Sequence, residues 1–368
     1  MGNKYFRIGL GLLLLLGIRW GAQAQATAPK YSNEFLNIGV GGRALGMGNV
    51  QSAIVRDETA GFWNPAGLLN LRDKYNIGLM HSELFAGIVK NDFATFAMPL
   101  DTSSALAISL IRTGVDNIAD TRRLKNEFGY IQYDSIQFFS VADYALLLSY
   151  ARKSNLIRGL QLGGSAKIIH RNVGMFANAW GFGVDLGAQL QRKNWSYGIM
   201  AKDITTTFTA WRHNPDEVKD VYQQTGNDIP ENSIEITLPR LILGIGRSFQ
   251  FTDKFSGLVA TDLELTFDGQ RNVLLGTDVI SVDPRVGLEL AYANAVYLRG
   301  GISHFQKIKD LGGGDYWDFQ PNFGVGVAAS GLRLDLALSR VAAGRAGTGA
   351  ARDANLSSVI ISLGYSFN

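Results

Sequence analysis

The chain has 368 residues, a formal net charge of +3 and no cysteine. The absence of cysteine excludes disulfides, thiolate metal sites and cysteine nucleophiles, and the near-neutral charge provides no basic surface for nucleic acid. Charged residues make up only 18% of the chain, aromatic residues 11%, and there are 43 glycines but 8 prolines. This composition is typical of one large unit with many strands and close backbone approaches, and it permits a membrane barrel.

The first 24 residues have the parts of an export signal. Lys4 and Arg7 provide the positive start, residues 8–18 are apolar, and Ala22-Gln23-Ala24 matches the small-x-small cleavage pattern. An uncleaved anchor helix is the alternative, but a helix that spans a bilayer needs about 20 apolar residues. We therefore predict a signal peptide over residues 1–24.

A glycine-rich stretch separates the signal from the strands that follow. Residues 39–44 fit the dinucleotide fingerprint G-x-G-x-x-A, but that motif counts only inside a strand–helix–strand unit, and no such alternation follows. We predict instead that residues 25–72 form an N-terminal hatch, or plug. Its candidate residues are Asn33, Phe35, Gly39, Gly41, Gly46, Gly48, Trp63, Asn64, Pro65, Ala66 and Gly67.

From Tyr75 onward the chain alternates with a period of two. In the clearest segment, Val286, Leu288 and Leu290 face away from Arg285 and Glu289. Such segments are typical of an outer-membrane barrel with an apolar outer face, although a soluble sandwich also alternates. Because the connections also alternate between short and long, we predict an all-β fold: a transmembrane antiparallel β-barrel of about fourteen strands over residues 73–368, with the hatch in its lumen.

If both barrel ends lie in the periplasm, the long connections are extracellular. These are 113–137, 205–236, 266–284, 304–320 and 342–355. Tyr, Trp and Arg are enriched at recognition hot spots, but the outer aromatic girdle of a membrane protein also uses Tyr and Trp. The candidate partner-binding residues are Tyr130, Tyr133, Trp211, Arg212, Tyr222, Phe305, Tyr316 and Trp317.

No catalytic or metal-binding pattern is present in the sequence. His81, His170, His213 and His304 are far apart and form no ligand pair, and there is no G-x-S-x-G nucleophile motif. Asp262 and Glu264 lie on one strand face, where a polar lumen explains them more simply than catalysis does. We predict a non-enzymatic protein without cofactor or metal.

Three sequence blocks resemble the PorV/PorQ family of Bacteroidetes-type bacteria, within the FadL-like superfamily of outer-membrane barrels. The blocks are Asn33-Glu34-Phe35-Leu36-Asn37-Ile38-Gly39, Arg43-Ala44-Leu45-Gly46-Met47-Gly48 and Phe62-Trp63-Asn64-Pro65-Ala66-Gly67-Leu68. Two weaker matches are Asp283-Pro284-Arg285-Val286-Gly287 and Leu298-Arg299-Gly300-Gly301. The resemblance implies a fourteen-stranded barrel whose hatch includes Asn64, Pro65 and Ala66.

The resemblance implies two different functions. PorV-like members serve the type IX secretion system and bind cargo proteins, whereas FadL-type members move hydrophobic compounds inward. Residues 62–67 are closer to the generic FadL form, which leaves a paralogue as an alternative to the secretion component. Our leading hypothesis is type IX-linked export in the outer membrane of a Gram-negative, Bacteroidetes-type bacterium, with outer-membrane lipid around the barrel and protein partners at loops 205–236 and 304–320. The alternative is a FadL-like channel for hydrophobic ligands, which requires an apolar pocket, a lateral opening and an interrupted strand.

Overall fold

A computed structural model describes residues 32–126, 128–229, 231–309, 314–340 and 357–368. The predicted signal peptide and the predicted loop 342–355 lie outside these residues. The described strands are β1 (Tyr75–Leu84), β2 (Val89–Pro99), β3 (Ser104–Asp120), β4 (Gln137–Lys153), β5 (Leu160–Val173), β6 (Ala177–Arg192), β7 (Trp195–Lys202), β8 (Thr207–His213), β9 (Ser233–Thr237), β10 (Arg240–Gln250), β11 (Phe255–Thr266), β12 (Leu275–Gly276), β13 (Ser281–Tyr292), β14 (Val296–Lys309), β15 (Asp315–Ala329), β16 (Leu332–Arg340) and β17 (Ser357–Phe367).

All of these strands belong to one antiparallel sheet that closes on itself. The sheet closes because β1 pairs with β2 on one side and with the last strand, β17, on the other, with Tyr75 opposite Phe367. An open sheet would leave backbone N–H and C=O groups unpaired at its edges, and closure pairs them. A structure that spans a bilayer must pair all of these groups internally.

The wall of the barrel has 14 strand positions, which confirms the prediction. Two of these positions each contain two strands that follow one another in the chain: β7 and β8 share one position, and β9 and β10 share the next. Both β7 and β8 pair with β6, while β10 pairs with β7 and β9 pairs with β8. The two-residue strand β12 lies beside β13 and adds no position of its own, since β11 pairs directly with β13.

The segment formed by residues 32–72, called here the N-terminal segment, lies inside the barrel. It contains helices α1 (Gly42–Gly46) and α2 (Ala60–Trp63) and two 3-10 turns, Glu34–Asn37 and Pro65–Asn70. Helix α1 contacts β14 to β17, whereas the second 3-10 turn contacts β2 to β6 on the other side of the wall. A segment that touches both sides of a closed wall fills its lumen.

The two faces of the wall differ as the alternation predicts. Leu288 and Leu334 point outward and are 43% and 44% exposed, whereas Lys167 and Asp262 point inward and are 2% and 3% exposed. This arrangement is the reverse of a water-soluble protein and is typical of a barrel surrounded by lipid. No described helix is long and apolar enough to cross a membrane.

The outward face of β1 to β3 departs from this apolar pattern. His81 pairs with Asp92 at 2.6 Å, and Arg112 reaches Asp92 at 3.4 Å and Asp116 at 3.1 Å. These residues lie on three adjacent strands, near the end of the short β1–β2 hairpin. Because each charge has an opposite partner within the cluster, the cost of placing it on the outer face is reduced.

The structure corrects several of the predicted long loops. Residues 205–236 are largely ordered, as β8, helix α3 (Lys219–Thr225) and β9, and strand β3 continues to Asp120. Strands β14 and β15 extend through most of 304–320, so Phe305, Tyr316 and Trp317 lie on strands and not in a loop. A register shift between Ser303 and Gln306 interrupts the alternation there and concealed the continuation of β14 in the sequence.

The outward apolar face gives a test of lipid contact. Leu288→Arg, in the middle of β13, is expected to lower the free energy of unfolding in lipid by about 2–4 kcal/mol, because a cation there must lie near the bilayer centre. Val296→Arg, at the end of β14 and 52% exposed, is the matched control, with an expected loss of about 0–1 kcal/mol. Equal losses in denaturant unfolding of the two variants would contradict the predicted orientation in the membrane.

Candidate functional site

Wall glycines allow the N-terminal segment to approach the strands backbone to backbone. A β-carbon at Gly198 would overlap the carbonyl of Ser52, and one at Gly301 would overlap Met47 and Gly48. At Gly163 it would lie 2.5 Å from the backbone of Pro65 and Ala66. The glycine-rich inward face is therefore explained by close contact with the segment that fills the lumen.

Asn64 ties the N-terminal segment to the wall. The side chain is fully buried, and its Nδ2 donates to the carbonyl oxygens of Ser52 at 2.8 Å and Ala188 at 3.1 Å. Its Oδ1 accepts a hydrogen bond from the backbone N–H of Ala66 at 3.2 Å, which caps the turn that begins at Pro65. The Asn-Pro-Ala sequence thus stabilises a turn and holds that turn against β6.

The other predicted hatch residues also lie in the lumen. The indole N–H of Trp63 donates to the Val40 carbonyl at 2.9 Å, and the Trp63 ring crosses Gly39, where a β-carbon would be 2.8 Å away. The backbone at Gly39, Gly41 and Gly48 has φ of +92°, +88° and +67°, which favours glycine. The remaining hatch residues are buried as well: Asn33, Phe35, Gly46, Pro65, Ala66 and Gly67.

Asp262 and Glu264 face the lumen together, and each has a structural partner. Asp262 accepts hydrogen bonds from the backbone N–H of Gln51 at 2.9 Å and of Ser52 at 3.0 Å. Glu264 pairs with Arg240 at 3.3 Å and with Arg285. These contacts give both carboxylates a structural role: Asp262 attaches the N-terminal segment to the wall, and Glu264 belongs to a buried ion-pair network.

The wall is interrupted between β7 and β8. Residues 203–206 leave the ladder, with φ of +57° at Asp203 and +60° at Thr206. Directly inside the interruption, the fully buried Lys167 pairs with Asp185 at 2.8 Å and with Asp203 at 2.5 Å. An interrupted strand is therefore present, and in this conformation a buried ion-pair cluster closes it.

An apolar cavity of about 520 Å³, called here the outer cavity, lies at the end of the barrel that carries the long loops. It is bounded by the β5–β6 hairpin, by β8 and β9, and by helix α3. Its apolar and aromatic lining consists of Val173, Phe176, Trp211, Val218, Tyr222 and Ile234. Ligand pockets commonly measure about 300–1,000 Å³, so this volume suits a small organic molecule.

Most charged groups around the outer cavity pair with one another, whereas Nδ1 of His213, which also lines it, is buried without a hydrogen-bond partner. The Trp211 indole N–H donates to Glu235 at 2.7 Å, and the Arg171 guanidinium lies over the Trp211 ring at 4.9 Å. Arg171 also pairs with Asp143 at 2.9 Å and with Glu235 at 3.5 Å. Because the arginine and the carboxylates are paired with one another and the rest of the lining is largely apolar, the cavity favours a neutral ligand over a charged one.

The predicted partner-binding residues separate into groups. Trp211 and Tyr222 line the outer cavity, while Tyr130 and Tyr133 are 71% and 72% exposed on the connection after β3. Arg212 is exposed on β8, and the remaining three lie on β14 and β15. Sequence reasoning missed the cavity residues Phe176, Val218 and Glu235, because they become neighbours only when β8 and β9 form.

No protein-family model matches the sequence, and no curated protein matches it. Solved structures do match. The P. putida toluene transporter TodX has a TM-score of 0.55 at 16% identity, over 90% of this chain and 98% of its own. The Ralstonia pickettii toluene transporter TbuX has a TM-score of 0.51 at 14% identity, over 90% and 99% of the two chains.

A Pseudomonas aeruginosa FadL homologue is also similar, with a TM-score of 0.52 at 12% identity over 89% of this chain and 98% of its own. At such low identity the likeness shows the fold alone. It supports the FadL-like part of the sequence resemblance but not the narrower PorV/PorQ assignment.

Neighbouring glycines on β14 test the packing of the N-terminal segment. Gly301→Ala would push a β-carbon into Met47 and Gly48, whereas Gly300→Ala would meet no atom within 4 Å. We expect Gly301→Ala to lower the free energy of unfolding by about 1–3 kcal/mol through overpacking, and Gly300→Ala to change it by less than about 0.5 kcal/mol. Denaturant unfolding in lipid measures both, and a similar effect of the two would contradict the packing described.

Proposed function

We propose that this protein is a non-enzymatic outer-membrane channel for small hydrophobic molecules in a Gram-negative bacterium. The observation that carries the proposal is the outer cavity, whose lining includes the aromatic side chains of Phe176, Trp211 and Tyr222. The apolar outward face supports a position in lipid. The predicted segments agree with this role: a signal peptide over 1–24, a hatch over 25–72 and a barrel over 73–368.

The contacts below the outer cavity support a role for the N-terminal segment in closing the path. The Ser32 hydroxyl donates to Glu235 at 2.5 Å, and Asn33 Nδ2 donates to Thr237 at 2.7 Å. Glu235 also holds Trp211. The first described residues of the segment therefore bind β9 next to the cavity, and we infer that a ligand passes inward only after these hydrogen bonds open.

The outer cavity also indicates the size of the ligand. An apolar cavity of about 150 Å³ is large enough to hold benzene, so about 520 Å³ accommodates a one-ring hydrocarbon with substituents. Two of the similar structures are toluene transporters, TbuX and TodX. We propose monoaromatic hydrocarbons as the ligand class to test first.

The test is uptake of radiolabelled toluene by cells that lack their own hydrocarbon channel and express this chain. Expression is expected to raise uptake at low toluene concentration, and Trp211→Ala is expected to reduce that gain by roughly twofold to tenfold, since an aromatic pair contributes about 0.5–1.5 kcal/mol. Tyr130→Ala, an aromatic change outside the cavity, is the matched control. Uptake that expression leaves unchanged would overturn the channel proposal.

A second candidate function is protein binding in type IX-linked export, as the PorV/PorQ resemblance implies. The specific observation is a group of exposed aromatic side chains on the connection between β3 and β4. Phe128 is 83% exposed, and Tyr130 and Tyr133 are nearly as exposed. Large exposed aromatics are typical anchors of protein interfaces.

Pull-down of the tagged barrel from outer membranes separates the two candidates. The double variant Tyr130→Ser/Tyr133→Ser is expected to lose bound proteins if this loop is a docking surface, whereas Trp211→Ala keeps them. Deletion of 205–236 is unsuitable, because it removes β8 and β9 from the wall. Identical proteins recovered with wild type and the double variant would eliminate this candidate.

A further inference from the structure

A second cavity, called here the inner cavity, lies at the opposite end of the barrel. Its volume is about 390 Å³, and its rim includes Asn194 and Asn294, which belong to the short turns after β6 and β13. Unlike the outer cavity, it is lined by four arginines: Arg43 and Arg56 of the N-terminal segment, and Arg299 and Arg333 of the wall. Two carboxylates, Asp57 and Glu289, are the acids in its lining.

Ion pairs hold three of these arginines together in one cluster. Glu289 is shared between Arg43 at 2.9 Å and Arg299 at 2.7 Å. Arg299 also pairs with Asp335 at 2.7 Å, as does Arg333 at 3.1 Å. These ion pairs fix the positions of the three guanidinium groups, whose nitrogens donate to the carboxylates and, in Arg43, also to Gln51.

Arg56 differs from the other three. Among the described residues it has no carboxylate within ion-pair distance, although it lines the same cavity. Its backbone adjoins Asp57, whose carboxylate lies 4.0 Å from Arg43 and 3.6 Å from Arg333. Arg56 is exposed and lines the same cavity as three paired arginines without an acid of its own, so an oxyanion in the cavity would supply its missing partner.

We propose that the inner cavity binds a small oxyanion, a carboxylate or a phosphate, with Arg56 as the principal ligand and Arg43 and Arg333 beside it. The guanidinium fork matches both groups because each presents two oxygens in one plane. Leu258 and the ring of Tyr297 also line the cavity and provide apolar surface for the body of an organic carboxylate. This site does not depend on transport through the outer cavity.

The test is isothermal titration of the full-length barrel in nonionic detergent with benzoate, with inorganic phosphate and with benzyl alcohol. Benzoate is expected to bind at least about tenfold more tightly than benzyl alcohol, which has the same ring but no charge, because hydrogen bonds to charged groups are the stronger ones. Tighter binding of benzoate than of phosphate identifies an organic carboxylate as the ligand, and the reverse identifies a free phosphate. Equal affinity for benzoate and benzyl alcohol would overturn the proposal.

Two arginine variants test whether benzoate binds in the inner cavity. Arg56→Gln is expected to weaken benzoate binding at least about tenfold while the barrel keeps its unfolding midpoint, since no described ion pair is lost. Arg247→Gln is the matched control, because Arg247 lies at the same end but outside the barrel, against Trp195 and Phe249. Unchanged binding in Arg56→Gln, or equal losses in both variants, would assign the anion to another site and refute the proposal.

Discussion

Gly301 brings the backbone of β14 against Met47 and Gly48, and Gly198 brings β7 against Ser52 on another side of the lumen. These backbone contacts place the N-terminal segment, and hydrogen bonds then hold it. Asp262 of the wall accepts hydrogen bonds from the backbone N–H groups of Gln51 and Ser52, and Asn64 of the segment donates one to the carbonyl of Ala188 in the wall. The position of the N-terminal segment in the lumen depends on these close backbone contacts, because a β-carbon at either glycine would displace the segment.

The filled lumen separates two cavities of opposite chemistry. The outer cavity is lined mainly by apolar and aromatic side chains, while the inner cavity is lined by four arginines. Between them lie the N-terminal segment and the buried ion pairs of Lys167 with Asp185 and Asp203. If molecules pass inward as we propose, they meet the apolar cavity first and the arginine-lined cavity last.

Much of the fold could be predicted from the sequence, because a strand in a barrel wall must alternate. The pattern of Val286, Leu288 and Leu290 against Arg285 and Glu289 correctly assigned outward and inward faces in β13. The pattern failed where regular pairing ends. The bulge after Ser303 concealed the end of β14, and the short strands β8 and β9 were read as a loop because a five- to seven-residue alternation is a weak signal.

The sequence by itself determined the barrel, its number of wall positions and the identity of the segment inside it, since period-two alternation and glycine content are local properties of the chain. Only the tertiary structure decided where the cavities lie and what they could bind. Phe176 lies between β5 and β6, Trp211 on β8 and Tyr222 on helix α3. Arg56 and Arg333 of the inner cavity also lie far apart in the chain. Their proximity follows from strand register and closure, which no local pattern encodes.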